Sequence, residues 1–227
     1  MKPEENKKQY PDFESGERRY TEESYILSHI DEEDGLLTEL YRKAHIQLVR
    51  PRMLAGHLQG RILKMLARVH RPQRILEIGT YTGYATLCLA EGLPEGGEIH
   101  TIEIDDEMED FIREQFEKSK LKDKIRLHIG DVMEIIPGLE GVFDMVYIDG
   151  DKREYCDYYD LIFDKVRSGG VILADNTLWN GKVWEKPDPN DKQTLGIISF
   201  NEMIKQDKRI EKIILPLRDG LTVIYKL

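Results

Sequence analysis

From Pro72 onward, short β-rich runs alternate with stretches patterned as helices, and this alternation narrows the possible folds more than any other feature of the chain. The runs are RILEI (74 to 78), EIHTI (98 to 102), IRLHI (125 to 129), FDMVYI (143 to 148) and VILA (171 to 174). Helical patterning fills the gaps at about 82 to 91, 106 to 119, 131 to 136 and 153 to 166. Repeated strand, helix, strand units predict an α/β fold whose sheet is mostly parallel and covered by helices on both faces. After a helix-patterned stretch at 194 to 206, EKIILPL and LTVIYKL flank Arg218, Asp219 and Gly220. Asp-Gly between two β runs is a hairpin signal, so antiparallel pairing closes the far edge and the sheet has seven strands.

The segment before Pro72 reads differently. Apolar residues recur at three- and four-residue steps from Leu36 to Ala44 and from Leu54 to Val69, which predicts two amphipathic helices broken at Pro51. Residues 1 to 20 lack such periodicity and are rich in Lys, Glu, Asn and Gln, the composition of an arm too polar to bury itself. The expected organisation is a flexible arm (1 to 20) and a single domain (21 to 227), with 21 to 71 as a helical cap for substrate or dimer contacts and 72 to 227 as the cofactor-binding core. A chain of 227 residues is within the size of one core.

Charge and cysteine usage exclude several classes. The formal charge is −10, yet residues 36 to 71 hold eight bases against Glu39 alone. Such a segment is either a solvated helix face or an attraction for anions. No apolar stretch approaches the roughly 18 residues that span a bilayer, and the first thirty residues are too polar for a secretory signal, so a cytoplasmic location with no membrane partner is expected. Cys88 and Cys156 have no CxxC spacing and the six histidines show no ligand spacing, so buried thiols are expected and a zinc site is not.

The loop Glu77, Ile78, Gly79, Thr80, Tyr81, Thr82 and Gly83 follows the first strand and leads into a helix, where backbone amides face a ligand at the carboxyl edge of an open sheet. Its spacing is E-x-G-x-x-x-G, neither the dinucleotide fingerprint nor a P-loop. A glutamate at the strand end repels pyrophosphate but accepts from an ammonium and suits a nearby sulfonium, and S-adenosylmethionine carries both cations. Glu103, 24 residues after Gly79, stands where a carboxylate grips ribose hydroxyls.

Two acidic strand ends complete the pattern. Asp149, Gly150, Asp151 and Lys152 end the fourth strand, and Asp175 and Asn176 end the fifth. With those strands adjacent, about 4.8 Å apart, Asp149, Asp175 and the Asn176 amide oxygen converge. Three hard oxygens suit Mg²⁺, Ca²⁺ or Mn²⁺ and leave positions for a substrate's oxygens. Asp, Asn and Gly are also ordinary turn residues, and what singles these out is their place beside the glycine loop.

Taken together, LEIGTYTGYATLCLAEGLPEGGEIHTIEID, FDMVYIDGDKREYCDYYD, GGVILADNTLWNGKV and LPLRDGLTVIYK resemble the metal-dependent small-molecule O-methyltransferases of the caffeoyl-CoA type, with catechol O-methyltransferase a more distant relative. The resemblance runs from about Leu36 to Leu227. It implies a Rossmann-like class I methyltransferase fold, a seven-stranded sheet of order 3-2-1-4-5-7-6 with one antiparallel strand, and a homodimer. It also implies that Glu77, Gly79, Thr80, Gly83, Ala85, Glu103, Val132, Asp149 and Asp151 hold S-adenosyl-L-methionine, that Asp149, Asp175 and Asn176 hold a divalent cation, that Lys152 is the general base, and that Met53 and Asn180 touch the acceptor. The family usually has Ser at Ala85 and Ala at Val132. Around Met53 this chain reads MLAGHLQG, without the family's Ser or Thr and acidic stretch.

The function so implied is methyl transfer from the sulfonium to one hydroxyl of a catechol-like small molecule. Tyr81, Tyr84, Tyr155, Tyr158, Trp179 and Trp184 are the aromatic residues near the site, available as a ring slot or as core. A hydroxylated uridine in tRNA is the runner-up acceptor, which the net −10 disfavours because phosphate contacts dominate RNA affinity. A nicotinamide oxidoreductase and a non-catalytic cofactor-binding module are the other classes; the first lacks its G-x-G-x-x-G, and the second would not need Lys152 and three metal positions.

Overall fold

The computed structural model describes residues 20–227, so the arm expected over 1 to 20 lies, apart from Tyr20, outside the described residues. The chain divides into two units, one ending at Asp31 and one running from Glu32 to Leu227. In the first, helix α1 (Glu22–Leu27) is closed at its start by a reciprocal pair: Ser24 N donates to Thr21 Oγ1 at 3.1 Å and Thr21 N to Ser24 Oγ at 2.8 Å. The pair satisfies donors that a helix leaves free at its first turn.

The second unit begins with α2 (Gly35–Gln47) and α3 (Gly56–His70), with a single 3₁₀ turn at Pro51–Met53 between them where proline was expected to break the helix. There follow β1 (Arg74–Ile78), α4 (Tyr84–Gly92), β2 (Glu98–Glu103), α5 (Glu109–Lys118), β3 (Ile125–Ile129), α6 (Val132–Gly138), β4 (Phe143–Ile148), α7 (Tyr155–Phe163), β5 (Val166–Asp175), α8 (Lys192–Gln206), β6 (Ile210–Leu215) and β7 (Leu221–Lys226). The sheet order is β3-β2-β1-β4-β5-β7-β6, and β7 alone runs antiparallel to its neighbours. This is the Rossmann-like seven-stranded architecture implied by the resemblance.

Strand alternation builds two cores. Ile75, Ile99, Met145, Tyr147 and Leu173 face one way, toward α2, α3 and α4. Leu76, Ile102, Val146, Ile148 and Ile172 face the other, toward α7 and α8. Both faces are buried, as a parallel sheet requires. Chain register then sets the site: Ile78 pairs with Ile148, and Ile148 with Ala174, so β1, β4 and β5 end side by side.

Two local expectations differ. The run expected at 171 to 174 is the end of a longer strand, because Arg167 to Gly170, which reads as a loop, is carried in β5 through a shift of register opposite Phe143 and Met145. The hairpin is no two-residue Asp-Gly turn: Leu215 pairs with Leu221 and residues 216 to 220 form the loop, with Arg218 (φ 48°) and Gly220 (φ 88°) both left-handed. Gly220 lies so close to Leu178 that a Cβ would collide with its side chain.

Candidate active site

The glycine loop opens from the end of β1. Gly79 (φ 95°) donates to Ile102 O at 3.0 Å, and a Cβ there would collide with the carbonyl of Asp149, so only glycine lets the β1 and β4 tips approach. Thr80 Oγ1 lies 2.5 Å from Thr101 Oγ1, tying the loop to β2. Gly83 (φ 81°) caps α4 and packs against the ring of Phe116. Ala85, in the first turn of that helix, is half-buried.

Glu77 is fully buried and accepts a hydrogen bond from Thr86 through Oε2, while Oε1 has no partner among the described residues. Burial lifts its carboxyl to about 8. An isolated buried carboxyl oxygen is costly, and here it lies beside the cradle where a cationic ligand group would complete it. Glu103 is 8% exposed; its Oε2 accepts from Tyr81 N at 2.6 Å and its Oε1 from Asp105 N at 3.0 Å. Two backbone donors fix that carboxylate at the tip of β2.

The acidic ends of β4 and β5 meet over one hydroxyl. Tyr147 Oη lies 3.5 Å from Asp149 Oδ2 and 3.1 Å from Asp175 Oδ2, so the two carboxylates expected together are together. Asp175 Oδ2 also accepts from Gln59 Nε2 at 2.6 Å, and its Oδ1 from Asn176 N at 2.8 Å, with Asn176 at φ 57°. Burial raises the Asp149 carboxyl to about 6 against the opposing pull of Lys152. Among the described residues no three His, Cys, Asp or Glu side chains form a metal-binding group. The residues that would offer donors to a divalent cation are two carboxylates and the Asn176 amide, hard oxygens of the kind such an ion takes.

Lys152 is 7% exposed and points inward. Its Nζ donates to Asp149 Oδ1 at 2.7 Å, Tyr155 Oη at 2.8 Å and Gly150 O at 3.2 Å. Burial opposes its charge, but Asp149 beside it holds the ammonium above the usual lysine range. Asp151 caps the turn of Lys152–Glu154, and its carboxylate accepts from Arg153 Nε at 2.9 Å. Val132, the first residue of α6, is 6% exposed within the second core.

Met53 is 53% exposed at the end of the 3₁₀ turn, and Asn180 is exposed at φ 51° with its N–H on Asp219 Oδ1. Of the aromatic residues, Tyr84, Tyr155 and Tyr158 are core, and Trp184 is 70% exposed. Cys88 is buried as expected, whereas Cys156 is only partly so. Much of the basic segment is paired: Arg61 and Lys64 both reach Glu91, and Lys43 reaches Glu114. A separate cavity of about 450 Å³, lined by Glu33, Arg61, Lys64 and Glu91 among others, contains none of the expected site residues.

Three participants were not singled out from the sequence. Tyr147 sits mid-strand and reads as core. Gln59 sits on a helix where a polar residue reads as solvent-facing, yet it is 1% exposed. Arg218 reads as a turn residue, yet its Nη1 donates to Gln59 Oε1 at 3.0 Å and to Leu54 O at 2.9 Å.

Comparison with known proteins agrees with this geometry. The family model described as O-methyltransferase matches residues 27–227. The chain is 33% identical to the mouse (Mus musculus) catechol O-methyltransferase domain-containing protein 1, over 74% of this chain and 66% of that one. It is 31% identical to a caffeoyl-CoA O-methyltransferase of Stellaria longipes, over 87% of each. Among solved structures, a SAH-bound methyltransferase from Podospora anserina superposes with a TM-score of 0.83 at 28% identity, covering 90% of this chain and 93% of that one. An O-methyltransferase from Bacillus cereus in complex with SAH gives 0.82 at 28% identity, covering 89% and 96%. The chain belongs to the O-methyltransferase family, in the caffeoyl-CoA and catechol branch that takes its methyl group from S-adenosylmethionine.

Proposed function

We propose that this protein transfers the sulfonium methyl of S-adenosylmethionine to one hydroxyl of a small catechol-like acceptor, assisted by a divalent cation. The observation that carries this reading is the meeting of Asp149 and Asp175 over the Tyr147 hydroxyl, next to the Gly79 loop. Glu77 Oε1 accepts from the cofactor's ammonium, Glu103 holds the ribose hydroxyls, and the Gly79 backbone allows close approach. Asp149, Asp175 and Asn176 hold the cation. When bound, that ion would polarise adjacent acceptor oxygens and lower the pKa of the hydroxyl and of the nearby Lys152 ammonium.

With its own proton lost to solvent in the field of that cation, Lys152 Nζ would receive the acceptor's proton; the acceptor oxygen would take the methyl in line as the sulfur–carbon bond breaks, and S-adenosylhomocysteine would leave. Met53 and Asn180 flank the acceptor, and most of the acceleration comes from holding the two reactants in near-attack geometry. Association of two copies belongs to the same reading, supported by Ile213 (59% exposed) and Ile214 (41% exposed) on edge strand β6. Among the described residues no helix is long and apolar enough to cross a membrane.

A screen with methyl-labelled cofactor and Mg²⁺, offering free catechols, catecholic thioesters and unmodified cellular RNA, tests the acceptor class. Label in the free catechols is the expected result. Label confined to RNA would replace the small-molecule reading with the tRNA one.

A further inference from the structure

The turn between β6 and β7 carries an arginine into the acceptor side of the site. Arg218 holds φ 48°, a conformation that costs a side chain with a Cβ about 1 kcal/mol or more. What holds it there is a set of acceptors for one nitrogen: Nη1 donates to Leu54 O at 2.9 Å, to Gln59 Oε1 at 3.0 Å and to Ala55 O. The next residue, Asp219, accepts from Asn180 N through its side chain and from Leu178 N through its carbonyl at 2.8 Å. One turn thus ties together the segment after Met53 and the segment of Asn180, the two that flank the acceptor.

The rest of the guanidinium is uncommitted. Its Nη2 and Nε carry no hydrogen bond among the described residues. They form one edge of a rigid planar fork whose geometry matches a carboxylate. Because Nη1 is already anchored, little rotamer freedom remains to be lost on binding. The Arg218 charge is felt at Asp149 and at Asp219, and the Asp175 charge is felt at both of them. A carboxylate entering without a matching fork would meet net negative charge there.

We propose that Arg218 is a specificity-determining residue that binds a carboxylate of the acceptor through Nη2 and Nε, so that the preferred substrates are catechol-like acids rather than neutral catechols. This rests on the O-methylation of catechols proposed above. The charge-assisted, bidentate contact is worth about tenfold or more in affinity.

The test is calorimetry on the full chain loaded with S-adenosylhomocysteine and Mg²⁺, titrated with 3,4-dihydroxybenzoate and with 4-methylcatechol, for the natural protein, Arg218→Gln and Arg218→Lys. The quantity read is the affinity ratio of the acid to the neutral catechol, which a general loosening of the site would not move. The expected ratio is about ten or more in the natural protein, near one in Arg218→Gln, and between these in Arg218→Lys, which keeps the charge and loses the fork. A ratio near one in the natural protein, or a ratio that survives Arg218→Gln, would overturn the assignment while leaving the catechol reading intact. Failure of both catechols to bind while S-adenosylhomocysteine binds would overturn both.

Discussion

Gln59 Nε2 lies 2.6 Å from Asp175 Oδ2, and Arg218 decides that it is the nitrogen of the amide, not the oxygen, that faces the carboxylate. A guanidinium has only donors, so Gln59 Oε1 must turn toward it. The pair joins α3 to the tip of β5 across 116 residues of sequence.

Gln59→Leu keeps the volume and removes both ends of this relay. Asp175 Oδ2 is then left with Tyr147 alone in a buried setting, a loss of about 1–3 kcal/mol. Thermal unfolding should occur several degrees lower, and kcat/KM should fall by about tenfold because Asp175 is no longer held in one orientation. Melting and steady-state kinetics check the two effects.

Glu77 makes stability depend on pH. Its carboxyl is raised to about 8 by burial, against about 4.3 in an unfolded chain. The folded state therefore binds more protons than the unfolded state between these values, and stability falls as pH rises through that window. Glu77→Gln removes this dependence, so its melting temperature should exceed that of the natural protein at pH 8 and converge with it near pH 4.5. Binding of S-adenosylhomocysteine at pH 7, by pairing the carboxylate with an ammonium, should release a proton. Calorimetry in two buffers of different ionisation enthalpy would detect that release in the natural protein and find none in Glu77→Gln.

Much of the fold is legible in the chain because its central strands are buried on both faces and its helices and strands alternate. The runs at 74 to 78, 125 to 129 and 143 to 148 coincide with β1, β3 and β4, as expected where apolar β-rich stretches end abruptly in polar turns. The start of β5 is not legible, since Arg167, Ser168, Gly169 and Gly170 have the composition of a loop and join the strand only through its shifted pairing with β4. The site divides in the same way. Asp149 and Asp175 stand out as acids at apolar strand ends, and adjacency of β4 and β5 brings them together. Gln59 becomes a buried residue only when Arg218 arrives from 159 positions away, a contact that no local pattern encodes.

Lys152 serves both stability and chemistry. Lys152→Met leaves the partly buried Asp149 without its ammonium partner at 2.7 Å, and losing that partner costs about 1–3 kcal/mol. Turnover should fall by roughly 10²–10⁴, the usual worth of a positioned acid or base, and should recover partly as pH rises because the acceptor hydroxyl then ionises unaided. A pH–rate profile displaced in height but unchanged in shape would remove Lys152 from the proton transfer.

The role of the two acidic strand tips is tested most directly by stripping the protein with EDTA and following transfer of labelled methyl from S-adenosylmethionine to a catechol as Mg²⁺ is returned. The expected result is no transfer without the ion, saturable recovery in the natural protein, and no recovery in Asp149→Ala or Asp175→Ala even though both still bind S-adenosylhomocysteine. Full transfer in excess EDTA, or an Asp175→Ala variant that responds to Mg²⁺ as the natural protein does, would contradict it.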